Sequence, residues 1–304
     1  MDYRRIQLTG ESTYIVSLPK KWVTKNNLSK GDTLSVIETG DEIILRAKEE
    51  KETETEIELG KKNLDLITRT LITKYIQGYD TVTIKSNSYI PPEIRRGLKD
   101  ISSLLIGMEE FGETSNELTF RMLMKEKGNV EDTVLRMHRM SLSSLEELLK
   151  NIAPEEYNEN ILKDIVRRDS DIDKFYFLVL RQLSSLGSYD AIMWIQVAKS
   201  IERISDHIEN ISSHMLAGGK VKEEHMKEHE KLIEMYSDVR LALVNRSAKK
   251  ADEILGQVKN FRIKETQMMN GLKSTNPDTL LIYGSFRRVG EYISDIAEVV
   301  INMS

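Results

Sequence analysis

Glu202-Arg203-Ile204-Ser205-Asp206-His207-Ile208-Glu209-Asn210-Ile211 and Glu291-Tyr292-Ile293-Ser294-Asp295-Ile296-Ala297-Glu298-Val299-Val300 read as two copies of one helical segment. Each opens on a Glu-x-x-x-Asp pair. The apolar positions keep one register, with Ile204, Ile208 and Ile211 matching Ile293, Ala297 and Val300. Self-similarity of this kind marks a repeated structural unit. Working outward, helical periodicity predicts Glu131–Asn151, Glu155–Leu186, Tyr189–Met215, Glu223–Asn245, Ala248–Leu272 and Asp278–Met303. Ala153-Pro154, Gly187, Gly218-Gly219 and Asn276-Pro277 punctuate them as stop and start signals. The quoted segments then fall in the third and sixth helices. The expectation is a pair of three-helix bundles over residues 130–304, divided as 130–217 and 222–304.

Three acidic pairs stand at i,i+4 spacing: Asp169/Asp173, Glu202/Asp206 and Glu291/Asp295. On a helix such residues are neighbours, and like charges there cost a few tenths of a kcal/mol unless a cation intervenes. Hard oxygen ligands suit Mg²⁺, Mn²⁺ or oxidised iron. Asp169 and Asp173 flank the stripe of Ile165, Ile172, Tyr176 and Leu183. Glu202 and Asp206 lie away from Ile201, Ile204, Ile208 and Ile211, and Glu291 and Asp295 stand nearly opposite Ile282, Val289, Ile293 and Val300. Any metal is therefore expected on the outside of the bundle, between neighbouring helices. A solvated acidic face is the competing reading. His225 and His229 also share i,i+4 spacing, but their Lys/Glu-rich surroundings read as a solvated face.

The helical body resembles the PhoU family of phosphate-uptake regulators. The resemblance spans about residues 130–303. It rests on the two sets of three helices, on Asp169-x-x-x-Asp173, and on the Glu202-Arg203-x-x-Asp206-His207 segment. It implies metal clusters held at the surface by acidic pairs on the second and third helices of each bundle. One departure stands out. The fifth helix reads Lys259-Asn260-Phe261-Arg262-Ile263-Lys264, with no acidic i,i+4 pair there. A lysine or arginine of this stretch, Lys264 foremost, is expected to face Glu291 or Asp295 in place of a carboxylate. One competent metal site, in the first bundle, and a degenerate second one are expected.

The N-terminal segment is of another kind. Tyr3–Thr9, Thr13–Leu18, Thr33–Thr39 and Glu42–Ala47 read as short strands punctuated by Gly10, Gly31-Asp32 and Gly40-Asp41. Pro19 opens one short helix. Ser17-Leu18-Pro19-Lys20-Lys21-Trp22, Leu28-Ser29-Lys30-Gly31-Asp32 and Glu42-Ile43-Ile44-Leu45 resemble the SpoVT/AbrB-type swapped-hairpin DNA-binding domain. That resemblance implies a β-barrel interlaced from two chains, hence a homodimer. It also implies DNA contact by Arg4, Arg5, Lys20, Lys21 and Lys25. A plain solvated helix face is the alternative for the lysines, and Trp22 reads as a core anchor.

Between residues 59 and 127 the pattern is mixed. Asn63–Gln77 and Pro91–Met108 read as helices, and Asp80–Lys85 and Glu117–Met124 as strands, giving a small α/β connecting domain after an acidic connector, Glu49–Glu58. The expected fold is multidomain and mainly α: a swapped-hairpin barrel (1–48), the α/β linker domain (59–127) and the helical pair. The combination resembles the archaeal branch of the PhoU family.

Composition sets bounds. The chain has 304 residues, net charge −5 and no cysteine, which excludes thiolate metal sites, disulfides and cysteine nucleophiles. Residues 1–48 hold eight Lys/Arg against six Asp/Glu, a mildly basic head on an acidic remainder. No secretory leader and no span of about 18 apolar residues is evident, so a cytoplasmic protein without membrane insertion is expected. No phosphate-binding loop, nucleophile elbow or His-Glu-x-x-His motif occurs, which disfavours an enzyme. Two functional readings fit. One is a regulator of phosphate homeostasis that binds DNA through its head and metal through its body. The other is a metal-binding adaptor whose head only dimerises, contacting a phosphate ABC-transporter subunit or signalling protein without DNA.

Overall fold

The computed structural model describes residues 3–10, 12–39, 42–47, 52–60, 62–124, 128–153, 156–184, 188–272 and 276–304. The turn expected at Gly40-Asp41, the break at Pro154, the helix start at Glu155, the helix end at Leu186 and Gly187 lie outside them. The chain divides into two compact units, Met1–Thr53 and Glu54–Ser304.

In the first unit, β1 (Gln7–Thr9) pairs antiparallel with β2 (Thr13–Ile15), with Leu8 opposite Tyr14. Helix α1 (Lys20–Lys25) follows Pro19. β3 (Leu34–Thr39) then pairs antiparallel with β4 (Glu42–Ala47), bringing Thr39 opposite Glu42. The strand β4 falls where it was expected, and the first two strands are shorter. The two hairpins form separate two-stranded sheets, so within one chain the described residues make no closed barrel. None of those with a described burial is buried, and Trp22 and Val23 are among the less exposed of them.

The second unit starts with a strand that sequence reading took for connector. β5 (Glu54–Glu58) lies parallel to β6 (Thr81–Lys85), and the α2 helix (Leu64–Ile76) makes the crossover. Ile57 is buried while Glu54, Glu56 and Glu58 face out, a period-2 pattern under an acidic surface. After α3 (Pro92–Ser102) come β7 (Met108–Glu113) and β8 (Glu117–Met122), completing a four-stranded sheet of order β5-β6-β8-β7. The expected helix Pro91–Met108 therefore ends early, and its last residue opens a strand. Val82, Ile84, Leu118 and Phe120 join Ile67, Leu71, Tyr75 and Leu98 from α2 and α3 in one core.

Six helices follow: α4 (Val130–Asn151), α5 (Glu159–Leu183), α6 (Tyr189–Leu216), α7 (Glu223–Val244), α8 (Ala248–Asn270) and α9 (Pro277–Asn302). Side chains of Asn129, Asn158, Ser188, Ser247 and Asn276 accept hydrogen bonds from first-turn N–H groups and cap five of them. Their apolar faces merge into one core. The two sets of three pack on each other: α6 on α9, and α4 on α7. The sheet and helices belong to one unit as well. Arg181, with its side chain only 10% exposed, donates to the carbonyls of Tyr75 and Tyr79 and pairs with Asp80 at 2.9 Å. Among the described residues no helix is long and apolar enough to cross a membrane.

Candidate metal centre

Helices α5 and α6 pack side by side and carry the first two acidic pairs onto one shared face. Asp169 and Asp173, one turn apart, are half-buried on α5. Glu202 and Asp206 meet them from α6, with side chains 12% and 29% exposed. Burial, and then the Asp169, Glu202 and Asp206 carboxylates, push the Asp173 carboxyl up to about 7. Asp169 is pushed up to about 6, by burial above all, against a hydrogen bond with Ser205 and with Asp206, Glu209 and Glu202 adding to the rise. Concentrated negative charge that is partly withdrawn from water raises a carboxyl in this way.

Glu209 is a member that sequence reading passed over. It stands one turn beyond Asp206, at i+7 from Glu202, and its spacing alone would have placed it on this face. Two cations oppose the cluster. Lys199 Nζ donates to both Glu202 oxygens at 2.6 and 2.7 Å, and Arg203 pairs with Asp206 at 2.9 Å. In this arrangement no three His, Asp or Glu side chains among the described residues close on one point as a ligand shell. The donor set is nonetheless all hard oxygen. Its two α5 members, Asp169 and Asp173, have no ion-pair partner among the described residues, because Arg168 and Lys174 beside them are paired with Glu147 and Asp171. Such a set fits a Mg²⁺, Mn²⁺ or Fe³⁺ ion. The four carboxylates lie between two helices rather than in the bundle core.

The second set is built differently. Glu291 receives Arg287 Nε at 3.1 Å and Arg288 Nη1 at 2.7 Å, and Arg262 stands 3.6 Å away. Burial works against ionisation, but those guanidinium groups outweigh it and hold the carboxyl below its usual range. Asp295, one turn on, is raised by burial and by Glu298 and Glu291. The cation facing Glu291 is therefore Arg262. Lys264 instead pairs with Glu228 at 3.1 Å, which corrects the expected partner.

The histidine pair is the largest correction. His229 is fully buried, stacked on Phe286 with ring centres 4.1 Å apart, and joined to the equally buried Glu265 at 3.0 Å. His225 contacts the Tyr283 hydroxyl at 2.7 Å. The Lys/Glu-rich sequence around them reads as solvated because only every third or fourth residue of α7 turns inward.

In the head, Arg4 and Arg5 precede β1, Lys20 and Lys21 open α1, and Lys25 closes it; all five are exposed.

Residues 133–215 match the model of the PhoU domain, a segment that holds Asp169, Asp173, Glu202 and Asp206. The helical body carries a PhoU domain. Glu291 and Asp295 fall beyond the matched stretch. Residues 7–53 match the model described as antidote-toxin recognition MazE, bacterial antitoxin, so the N-terminal unit is an AbrB-like domain. Among solved structures, the phosphate transport system regulatory protein PhoU from Streptococcus pneumoniae is similar at 21% identity. That match covers 57% of this chain and 92% of the other, with a TM-score of 0.48. PhoU from Pseudomonas aeruginosa is similar at 16% identity, covering 57% and 94% with a TM-score of 0.45. No curated protein matches the chain.

Proposed function

We propose that this chain regulates phosphate uptake, with its PhoU-domain body binding a hard metal ion and its head binding DNA as a homodimer. One observation carries the reading. The four carboxylates of α5 and α6 lie within the segment that matches the PhoU domain, and the fold gathers them on one half-buried face. Asp169, Asp173, Glu202 and Asp206 would hold the ion, which would supply Asp169 and Asp173 with the positive charge that no ion pair among the described residues gives them. Lys199 and Arg203 would turn away as it enters. No catalytic step is assigned, and the role is that of a cytoplasmic regulator.

Dimerisation is supported by the head's own surface. Tyr3, Ile6, Tyr14, Val36 and Ile43 are each more than half exposed, far more apolar surface than two small hairpins can leave in water. A second copy would cover it. Arg4, Arg5, Lys20, Lys21 and Lys25 would then meet DNA phosphates, which supply affinity without reading sequence.

The head's surplus of only two positive charges favours a second reading. In it the head dimerises without DNA, and the body contacts a phosphate-transporter subunit or signalling protein. A gel shift on the protein's own promoter region, run across a salt series, separates the two. The first reading expects binding that weakens steeply with salt and is lost in Lys20→Ala/Lys21→Ala. Absence of binding at low salt leaves the adaptor. Elemental analysis tests the body: bound Mn or Fe should fall when Asp169, Asp173, Glu202 and Asp206 become Asn or Gln, and equal content in that variant removes the metal assignment.

A further inference from the structure

A groove of about 420 Å³ runs beside α8 and α9 in the second helical repeat. Lys259, Arg262, Ile263, Thr266 and Gln267 line it from α8, and Arg287 lines it from α9. The positions 259, 262, 263 and 266 recur at helical spacing, so they form one wall. No carboxylate lines the groove itself.

The cations there are only partly used. Arg262 approaches Glu291 at 3.6 Å, an ion pair too long to count as a hydrogen bond. Arg287 commits its Nε to Glu291, which leaves its two terminal nitrogens without a protein acceptor among the described residues. Lys259 makes no ion pair among the described residues. Arg288, just outside the groove, is held to Glu291 at 2.7 Å. One carboxylate therefore anchors three guanidinium groups, and the groove's own lining carries three positive charges, Lys259, Arg262 and Arg287, and no negative one. Like charges held this close are stabilised by an anion. Guanidinium groups fixed in place by a carboxylate suit a tetrahedral oxyanion, because their planar donors match its edge.

We propose that this groove binds a phosphate-class oxyanion, held by Arg262, Arg287 and Lys259. Glu291 has two roles there. It holds the guanidinium groups in place, and it competes with the incoming anion for their donors. The site requires neither metal nor DNA, so it stands apart from the proposed regulatory reading and can fail without it.

Isothermal titration of the full chain tests it, in chloride buffer with a chelator so that no metal-bridged phosphate contributes. Inorganic phosphate should bind saturably at one site. Affinity should fall about tenfold or more in Arg262→Gln/Arg287→Gln, as expected for loss of charge-assisted bonds. It should fall in Lys259→Ala, a variant that breaks no internal ion pair and so leaves the fold untouched. It should rise in Glu291→Gln, which frees donors, and stay unchanged in Asp169→Asn/Asp173→Asn. A parallel titration with glycerol phosphate identifies the source: the tighter of the two probes says whether the free or the esterified group is the ligand. No saturable binding of either probe, or an affinity unchanged from the parent chain in the double arginine variant and in Lys259→Ala, overturns the proposal.

Discussion

Asp173 sits half-buried among Asp169, Glu202 and Asp206, and burial and those neighbours push its carboxyl up to about 7. A raised carboxyl pKa means that the folded chain holds the proton more tightly than the unfolded one. The stability linked to it is complete below about pH 4 and is lost as pH rises through about 7. Asp173→Asn removes the penalty. At pH 8 without metal it should stabilise the chain by about 1–2 kcal/mol, allowing for partial exposure to solvent. That gain should vanish by pH 4, as read from urea unfolding midpoints, and a pH-independent gain would contradict the electrostatic cause. His138 behaves in the opposite sense. Burial, against a hydrogen bond to the Tyr236 carbonyl, holds it down to about 4, so it is neutral in the fold. A depressed histidine contributes stability that is present above about pH 6.5 and lost as pH falls toward 4. His138→Gln keeps a donor for that carbonyl. Its stability should decline less than that of the parent chain between pH 6.5 and 4.5 in the same measurement.

At the scale of elements, the joint between α7 and α8 depends on a pair of groups with no access to water. His229 and Glu265 are both fully buried and 3.0 Å apart. Removing one partner leaves the other buried alone, which costs about 3–5 kcal/mol, whereas replacing both by apolar groups of similar size is often near neutral. His229→Ala should therefore lower the melting temperature by several degrees, and His229→Leu/Glu265→Leu should recover most of the loss. A double variant as unstable as the single one would place the cost in packing. Caps act at this scale too. Ser247 accepts from the N–H of Lys250 at the start of α8, and Ser247→Ala should cost about 1 kcal/mol in the same melts.

Across the whole molecule the open question is what covers the head. Tyr3, Ile6, Leu8, Tyr14, Val36 and Ile43 are exposed, and none of the residues before Glu54 with a described burial is buried in the single chain. Sedimentation of the full chain should show a dimer, and Ile43→Glu should shift it to monomer while leaving the helical signal of the body unchanged. A monomeric parent chain would remove the interlaced-hairpin expectation.

Most of the second unit's helices could be read from the sequence because their apolar period of 3.6 is long and capped by Asn and Ser. β5 was missed since three of its five residues are glutamates, and the inward Ile57 carries the only strong signal. β7 was missed because only Met108 among its residues is buried. His225 and His229 were misread, since a local window of Lys and Glu says nothing about what packs on α7 from α8 and α9.

The sequence by itself determined the repeat, the helix spacing and the acidic pairs, because i,i+4 neighbours are fixed by helix geometry alone. It also determined that the fifth helix offers Glu291 and Asp295 no acidic pair at Lys259–Lys264. Only the tertiary structure decided which residues meet between helices: Asp169 and Asp173 with Glu202, Asp206 and Glu209, Glu291 with Arg262 instead of Lys264, and His229 with Glu265. Those meetings depend on which faces the shared core draws together. That choice is made by burial summed over all six helices, which no local pattern carries.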